Sequence, residues 1–356
     1  MATTKIDWCD TVWNQVTGCL PVSAGYDNCY ASRMAKRLAG RCGYPADDPF
    51  KVTFHPDKLE LPMTWKKSRR IFVNSMGYLF HEDVEFSAID QIMAYIALCP
   101  QHTFMVLTKR PEIMKKYFLT KDRDERIGWQ AHNICENTKH ELDYSIANAL
   151  IHGPGKVSNL PDNIAPPHPN LWPLPNLWLG VSVENQETAD ERIPILLDTP
   201  AAHRLISCEP LLGVLNLRNY LALFKCGAWG CHAMLFENEL VYHYKDDDDY
   251  DDQEIGVPKC PYCDSDAFTT SDSYPDDTID WLVCGGETGP NARPCHPDWV
   301  RGLRDQCQAA QVPFFFKSWG EWVVGDQDPL EIIRVGKKKV GRLIDGREWR
   351  ELPEGV

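Results

Sequence analysis

Six short apolar runs spread along the 356 residues constrain the fold more than any other feature of the sequence. Each run ends in a cluster of polar residues, and helical patterns such as Phe86–Leu98 and Pro297–Ala310 lie between runs. Continuous apolar runs of this length are typical of strands that are buried on both faces of a parallel sheet. The runs span residues 70–73, 103–107, 177–181, 204–206, 279–283 and 312–316. The sequence therefore predicts a repeated βα unit.

A parallel sheet built from six or more such units closes, or nearly closes, into a barrel. The predicted fold class is therefore α/β, with a parallel (β/α) barrel or partial barrel. Because functional groups gather at the carboxyl ends of barrel strands, we expect the polar residues after the runs to share one cavity. The candidate cofactor- or substrate-binding residues are Asn74, Ser75, Lys109, Arg110, Glu184, Glu209, Glu287 and Lys317.

The charges of these candidates suggest two kinds of role. Lys109, Arg110 and Lys317 could bind phosphate or carboxylate groups. The three glutamates could instead accept hydrogen bonds from ribose hydroxyls or pair with an ammonium group. Each of these residues could equally belong to a buried ion-pair network, and a polar residue after a strand could simply be a turn residue.

Two stretches interrupt the βα pattern. Residues 153–175 hold seven prolines and are typical of an extended surface loop, whereas residues 224–277 hold two cysteine pairs and an aspartate run. We interpret the second stretch as an insertion. The predicted organisation is therefore a first part of the barrel in residues 1–223, the insertion in 224–277, and the last part of the barrel with a tail in 278–356.

The cysteine pairs of the insertion have the spacing of a zinc ribbon. Four thiolates arranged as two short knuckles suit tetrahedral zinc, and a small polar insertion needs such a metal in order to fold. The predicted ligands are Cys226, Cys231, Cys260 and Cys263. The metal would be structural because four protein ligands leave no open position. A redox pair at Cys260 and Cys263 is the alternative. We interpret the aspartate-rich residues 246–252 as a solvated loop, because they lack the spacing of a cation site.

The net charge of −14 does not exclude a nucleic-acid partner. Residues 245–277 hold twelve acidic residues and two lysines, a charge of −10, so that the remaining chain carries only −4. No window has the roughly 18 consecutive apolar residues of a membrane span, and the first residues lack a secretory signal. We expect a cytoplasmic protein without a membrane partner. In reducing cytosol, metal ligation or burial accounts best for the fourteen cysteines.

The amino-terminal segment 13–37 combines a glycine-punctuated loop, two cysteines and a helix that is predicted to begin near Cys29. Loops of this kind hold iron–sulfur clusters through thiolates. The cysteines are Cys19 and Cys29, and on spacing alone they could also be ordinary thiols.

Taken together, the motifs resemble a phage-associated family of uncharacterised, radical-SAM-like proteins named for a three-cysteine motif. The resemblance covers nearly the whole chain. The matching segments are 13–14, 17–19, 27–31, 72–76, 79–83, 107–111, 178–185, 207–211, 285–287, 314–317 and 319–320. The resemblance implies an iron–sulfur protein with a 4Fe–4S cluster and S-adenosylmethionine. A 5′-deoxyadenosyl radical would then abstract hydrogen from a substrate, for which we consider a nucleic acid or a nucleotide.

The loop departs from the family pattern Cys-x6-Cys-x2-Cys at its middle position. Cys19 and Cys29 match the outer ligands, but Tyr26 stands where the second cysteine is expected. A site-differentiated cluster needs three protein ligands, so three outcomes are open. Tyr26 could ligate as a phenolate, Cys9 or Cys42 could supply the third thiolate, or the cluster is lost.

Two other functions follow from the last outcome. The chain could be a non-catalytic binding protein, whose zinc ribbon contacts a protein or nucleic-acid partner. It could also be a cluster-free enzyme that uses Glu209 or Glu287 as a general base, although no histidine follows any of the predicted strands closely enough to assist. Gly285-Gly286-Glu287 is similar to the segment that binds the methionine amine in radical SAM enzymes, but it follows a late strand.

Overall fold

The computed structural model describes residues 4, 6–140, 142, 144–152, 172–221, 224–226, 234–235, 240–243, 257–261, 263, 265–269, 278–324 and 331–354. Seven parallel strands form one sheet, in which each strand lies beside the next one along the chain. The strands are β1 (Thr11–Trp13), β2 (Arg70–Val73), β3 (Thr103–Thr108), β4 (Leu177–Ser182), β5 (His203–Cys208), β6 (Trp281–Cys284) and β7 (Phe314–Phe316). All six predicted strands are present, and β1 is an additional one.

The helices follow the strands as βα repetition requires. They are α1 (Tyr30–Leu38), α2 (Phe86–Ala97), α3 (Pro111–Phe118), α4 (Arg123–Asn137), α5 (Tyr144–His152), α6 (Gln186–Leu197), α7 (Arg218–Leu221) and α8 (Pro297–Ala309). Short antiparallel pairs add Val16–Thr17 with Thr53–Phe54, Trp322–Val324 with Ile332–Arg334, and Leu343–Ile344 with Arg347–Glu348. The helix predicted to begin near Cys29 begins at Tyr30, with Cys29 as its N-cap residue.

The sheet is curved, and its two faces enter different apolar clusters. Along β3, Phe104 and Val106 pack among the helices, whereas Met105 and Leu107 belong to an inner cluster on the opposite face. This period of two is the geometry of a strand with both faces buried. The inner cluster consists of Trp8, Cys9, Met105, Leu107, Trp178, Leu205, Trp281, Val283 and Phe315.

Trp8 connects strands from distant parts of the sheet. Its ring centroid lies 4.8 Å from that of Phe72 on β2 and 6.1 Å from that of Trp281 on β6. A flat sheet could not bring β2 and β6 to a common side chain. The seven strands therefore form a half-barrel whose interior is filled by the inner cluster.

The two edges of the half-barrel, β1 and β7, are not paired with each other in the described chain. Instead, the carboxyl-terminal segment lies along β7, where the amide of Phe316 donates to the carbonyl of Trp349 at 2.7 Å. Arg342 and Arg350 of the same region pair with Asp7, which precedes β1, at 3.3 and 3.7 Å. The tail thus spans the gap that a closed barrel would fill with strand pairing.

The predicted insertion contains a three-stranded sheet ordered Ala267–Thr269, Phe224–Cys226, Met234–Leu235, and a pair formed by Val241–His243 and Val257–Lys259. Cys226 pairs in register with Ala267. Cys260 is buried and Cys263 is exposed, in a turn where the Cys260 amide donates to the Ser265 carbonyl at 2.8 Å. The side chain of Cys226, all of Cys231 and the aspartate-rich residues 246–252 lie outside the described residues, so the zinc ribbon remains a prediction. The domain boundaries also remain predictions.

No helix in the described ranges is both long enough and apolar enough to cross a lipid bilayer.

The inner cluster predicts a large effect of truncating Trp281, which is fully buried and contacts Trp8, Trp178 and Phe315. Trp281→Ala should lower the free energy of unfolding by about 3–5 kcal/mol because it leaves a cavity at the centre of the half-barrel. Urea denaturation followed by circular dichroism measures this change. Trp129→Ala on α4, where the indole is half exposed, should cost less than about 1 kcal/mol. Equal losses in the two variants would contradict the assignment of the inner cluster.

Candidate functional site

A cavity of about 630 Å³ opens at the carboxyl ends of the strands. Its floor is the top of the inner cluster, where Trp8, Phe72 and Leu107 line it. One wall is the cysteine loop, residues 19–29, which includes the 3-10 turn Ala24–Tyr26. Cavities of this volume hold small organic ligands or cofactors.

The structure brings most of the sequence candidates together at this cavity. Asn74, Ser75, Lys109, Glu209, Glu287 and Lys317 line it from five different strand ends, and the loop contributes Cys19, Tyr26 and Cys29. Glu184 and Arg110 do not line it. Glu184 is only 1% exposed and lies behind Lys109, and Arg110 is directed at the cysteine loop. These two side chains therefore do not contribute to the described lining of the cavity, and a ligand-binding role for them stays a prediction.

Glu184 is the centre of a buried ion-pair network. Its Oε1 pairs with the ammonium of Lys109, and its Oε2 accepts from Arg192 Nη1 at 3.2 Å. Arg192 is itself buried and also donates to the Ser182 carbonyl at 2.6 Å. Burial lowers the pKa of Lys109, and the neighbouring carboxylate of Glu184 opposes this shift. One carboxylate thus compensates two buried cations.

The cysteine loop is packed directly on this network. Ser23 Oγ donates to Glu184 Oε1 at 3.1 Å, and the Lys109 ammonium lies 4.8 Å from the centre of the Tyr26 ring. A Cβ added to Gly25 would lie 2.3 Å from Glu184 Oε1 and 2.4 Å from Lys109 Nζ. The loop therefore needs glycine at position 25 so that its backbone can approach the ion pair.

Tyr26 and Cys19 contact each other at the cavity wall. The Tyr26 hydroxyl lies 3.2 Å from Cys19 Sγ, and Arg110 Nη1 lies 3.4 Å from the same sulfur. Burial raises the pKa of the Cys19 thiol, while the contacts with Tyr26 and Arg110 act in the opposite direction. Burial and the proximity of Cys19 raise the pKa of the Tyr26 phenol. Both groups are thus protonated at neutral pH unless a cation binds.

Glu287 anchors the other end of the loop. Asn28 Nδ2 donates to Glu287 Oε2 at 2.9 Å, and Arg293 donates to both carboxylate oxygens, at 2.7 and 3.0 Å. Arg293 also reaches Asp27 at 3.0 Å and the Ala24 carbonyl at 2.8 Å. Burial alone would raise the pKa of Glu287, but the Arg293 contacts outweigh it and lower the pKa. A carboxylate held in this way is a poor general base.

Glu209 and Lys317 form the more accessible charged pair of the cavity. Their side chains lie 3.0 Å apart and are 18% and 28% exposed, compared with 1% and 5% for Glu184 and Lys109. Trp8 Nε1 lies 3.4 Å from Glu209 Oε2 and fixes this carboxylate from below. The pair offers a ligand one anionic and one cationic group.

Neither proposed substitute for the middle cysteine lies at the cavity. Cys9 belongs to the inner cluster below it, where burial raises its pKa to about 12. Cys42 is exposed, and it is absent from the cavity lining. Among the described residues, no three His, Cys, Asp or Glu side chains are grouped for metal binding. The described donors that the loop brings to the cavity are therefore two thiols and one phenol.

Several residues at the site were not predicted from the sequence. Arg192 and Arg293 follow no strand directly, and nothing in their spacing indicates that they pair with strand-end glutamates. Asn28 lies within a recognised motif, but its contact with Glu287 joins residues 259 positions apart.

Comparison with known protein families gives a match over almost the entire chain. The model of a family described as "Protein of unknown function (DUF5131)" matches residues 3–353. The chain belongs to the DUF5131 family. Neither the curated proteins nor the solved structures contain a match. The DUF5131 match includes the cysteine loop, the half-barrel and the predicted insertion, and its description assigns no activity.

Gly25→Ala tests the packing of the loop on the ion pair. The added methyl group should displace the loop from Glu184 and Lys109, which are buried and cannot move freely, at a cost of about 1–3 kcal/mol in the free energy of unfolding. Gly302→Ala on α8 is the control, because an added Cβ there meets nothing within 4 Å and alanine favours a helix. Thermal unfolding of both variants measures the difference. A Gly25→Ala protein as stable as Gly302→Ala would refute the close packing.

Proposed function

We propose that this DUF5131 protein is a radical-SAM-like iron–sulfur enzyme that holds its cluster through Cys19, Cys29 and Tyr26. The observation that carries the proposal is that all three side chains line one cavity at the carboxyl ends of parallel strands. The position of the cysteine loop also supports the proposal. Contacts with four residues that follow the strands hold this loop, which carries Cys19 and Cys29, at the cavity wall.

The donor set fits a cluster with three protein ligands, two of sulfur and one of oxygen. The Arg110 guanidinium beside Cys19 favours the thiolate form that iron requires. The Tyr26 hydroxyl is already within 3.2 Å of that sulfur, so both donors could share one metal site. Because burial keeps the phenol protonated, metal binding has to release its proton, and the site is weaker than one with three thiolates.

When bound, such a cluster supplies the electron for reductive cleavage of S-adenosylmethionine. The residues of the chain would position the ligand in the cavity. Glu209 and Lys317 face the cavity as a zwitterionic pair, which complements the amino and carboxyl groups of an amino-acid ligand. Trp8 and Phe72 form an apolar floor that excludes water from the reacting groups.

We also propose a structural zinc ion in the insertion, bound by Cys226, Cys231, Cys260 and Cys263. Support comes from the backbone, because Cys226 ends a strand paired with Ala267 while Cys260 and Cys263 occupy the turn just before that partner strand. The backbone of Cys226 is thus in register with a residue four positions after Cys263.

The second candidate is a binding protein that has lost its cluster. It is favoured by the raised pKa of Tyr26 and by the contacts that already occupy the phenol and its ring. In that case the side chain of Tyr26 would fill the space of the former metal site and would have only a structural role.

Anaerobic reconstitution followed by elemental analysis and electron paramagnetic resonance separates the two candidates. The natural protein should bind about four iron ions per chain, Tyr26→Cys should retain them more firmly against a chelator, and Cys19→Ala should lose them. Cys42→Ala, which removes an exposed cysteine away from the cavity, is the control and should match the natural protein. The same samples should contain about one zinc ion per chain.

Failure of the natural protein to bind iron, whether or not Tyr26→Cys binds it, would overturn the enzyme proposal in favour of the second candidate. Absence of zinc from protein purified without chelator would overturn the zinc proposal independently.

A further inference from the structure

Two basic segments without acidic residues flank the mouth of the cavity, although the chain as a whole carries a charge of −14. The first is the start of α1 and the residues after it, with Arg33, Lys36, Arg37 and Arg41. The second is a turn near the carboxyl terminus, from Arg334 to Arg342, which also contains Lys337, Lys338 and Lys339. In this second segment, which we call the lysine turn, like charges repel each other. Such an arrangement is typical of a site that binds an anion.

The lysine turn has an ordered backbone. The amides of Val335 and Gly336 donate to the carbonyl of Glu321 at 2.9 and 3.0 Å, and the amide of Lys337 donates to Glu321 Oε2 at 3.1 Å. Gly336 has a φ of +85°, a conformation that favours glycine. Val340 is buried and fixes the end of the turn. The lysines are therefore held at one place on the rim.

The side chains of Lys337, Lys338 and Lys339 are exposed and form no ion pair with any residue that the structure describes. Lys337 and Lys338, with Arg342, line the cavity. By contrast, the positive charges of Arg301 and Arg304 on α8 are compensated, because both side chains pair with Asp345. Within the lysine turn, Arg342 pairs with Asp7, but Lys337 and Lys338 present positive charge beside the opening without an ion-pair partner among the described residues.

An exposed aromatic ring faces the same opening from α1. Tyr30 lines the cavity and is 49% exposed, and Met34, one turn further along the helix, is 41% exposed. The Tyr30 hydroxyl donates to the Ser75 carbonyl, which fixes the ring. Hydrogen bonds from Arg33 to the Thr288 carbonyl and from Arg334 to the Gly289 carbonyl hold α1 and the lysine turn to the same segment.

We propose that this rim binds a single-stranded nucleic acid, with phosphates on the lysine turn and a base stacked on Tyr30. Cationic grooves combined with fixed aromatic rings are the ordinary means of binding single strands. A base swung out of a strand is small enough for a cavity of about 630 Å³, whereas a stacked base pair inside a duplex is not exposed for entry. The inference rests on the proposed function for the reaction that the strand undergoes, but the binding itself needs no cluster.

Fluorescence anisotropy with labelled 20-nucleotide single strands of DNA and RNA tests the proposal on the full chain, with and without reconstitution of iron. Lys337→Glu/Lys338→Glu should weaken binding about tenfold or more, and should reduce the slope of log affinity against log salt by about 1.4. The matched control is Lys66→Glu/Lys67→Glu, the same change of charge on exposed lysines before β2, at the opposite end of the sheet. It should change affinity less than about twofold.

Tyr30→Ala should weaken binding about tenfold, and Tyr30→Phe should restore most of the affinity because the ring remains. The inference would be overturned if the two lysine double variants lost equal affinity, or if neither strand bound at low salt. It would also be overturned if poly-glutamate bound as tightly as the strands and Tyr30→Ala did not weaken strand binding. Strand binding by a protein that never cleaves S-adenosylmethionine would support this inference and count against the proposed function alone.

Discussion

The buried ion pair between Lys109 and Glu184 is the interaction on which the arrangement of the mouth depends. Both side chains come from strand ends, and the pair is completed by Arg192 from α6. Ser23 and the backbone of Gly25 pack on it, so the cysteine loop takes its position from these charges. Removing one partner of a buried pair leaves an uncompensated charge and typically costs about 3–5 kcal/mol. The loop is thereby coupled to the stability of the half-barrel.

Apolar side chains fill the interior of the half-barrel, whereas polar side chains lie around the opening of the cavity. Trp178 and Trp281 on the strands and Trp8 before β1 fill the interior, and the cavity lies where the strands end. The charged groups nearest that opening differ in availability. Glu184 and Glu287 are used by the protein to hold the loop, whereas Glu209 and Lys317 remain accessible. This division separates the groups that build the wall from the groups that can meet a ligand.

Much of the fold was predictable because the strands are buried on both faces and therefore read as apolar runs. β1 was missed, since Thr11-Val12-Trp13 is short and follows Asp10, which pairs with Arg70. The common cavity was predictable because parallel strand ends meet in any barrel. The partners of Glu184 and Arg110 were not predictable, because Arg192 and Cys19 are brought to them only by the folded chain. The lysine turn was not predicted either, because its sequence has no strand or helix pattern.

Hydrogen–deuterium exchange at the cysteine loop tests most directly whether the buried ion pair positions it. The amides of Asp27 and Cys29 donate to the carbonyls of Ala24 and Tyr26, at 3.2 and 3.0 Å, and should exchange slowly in the natural protein. Glu184→Gln should accelerate exchange in residues 19–29 about tenfold while β3 stays protected. Glu187→Gln, an exposed neighbour, should have no effect. Unchanged protection of the loop in Glu184→Gln would contradict the account.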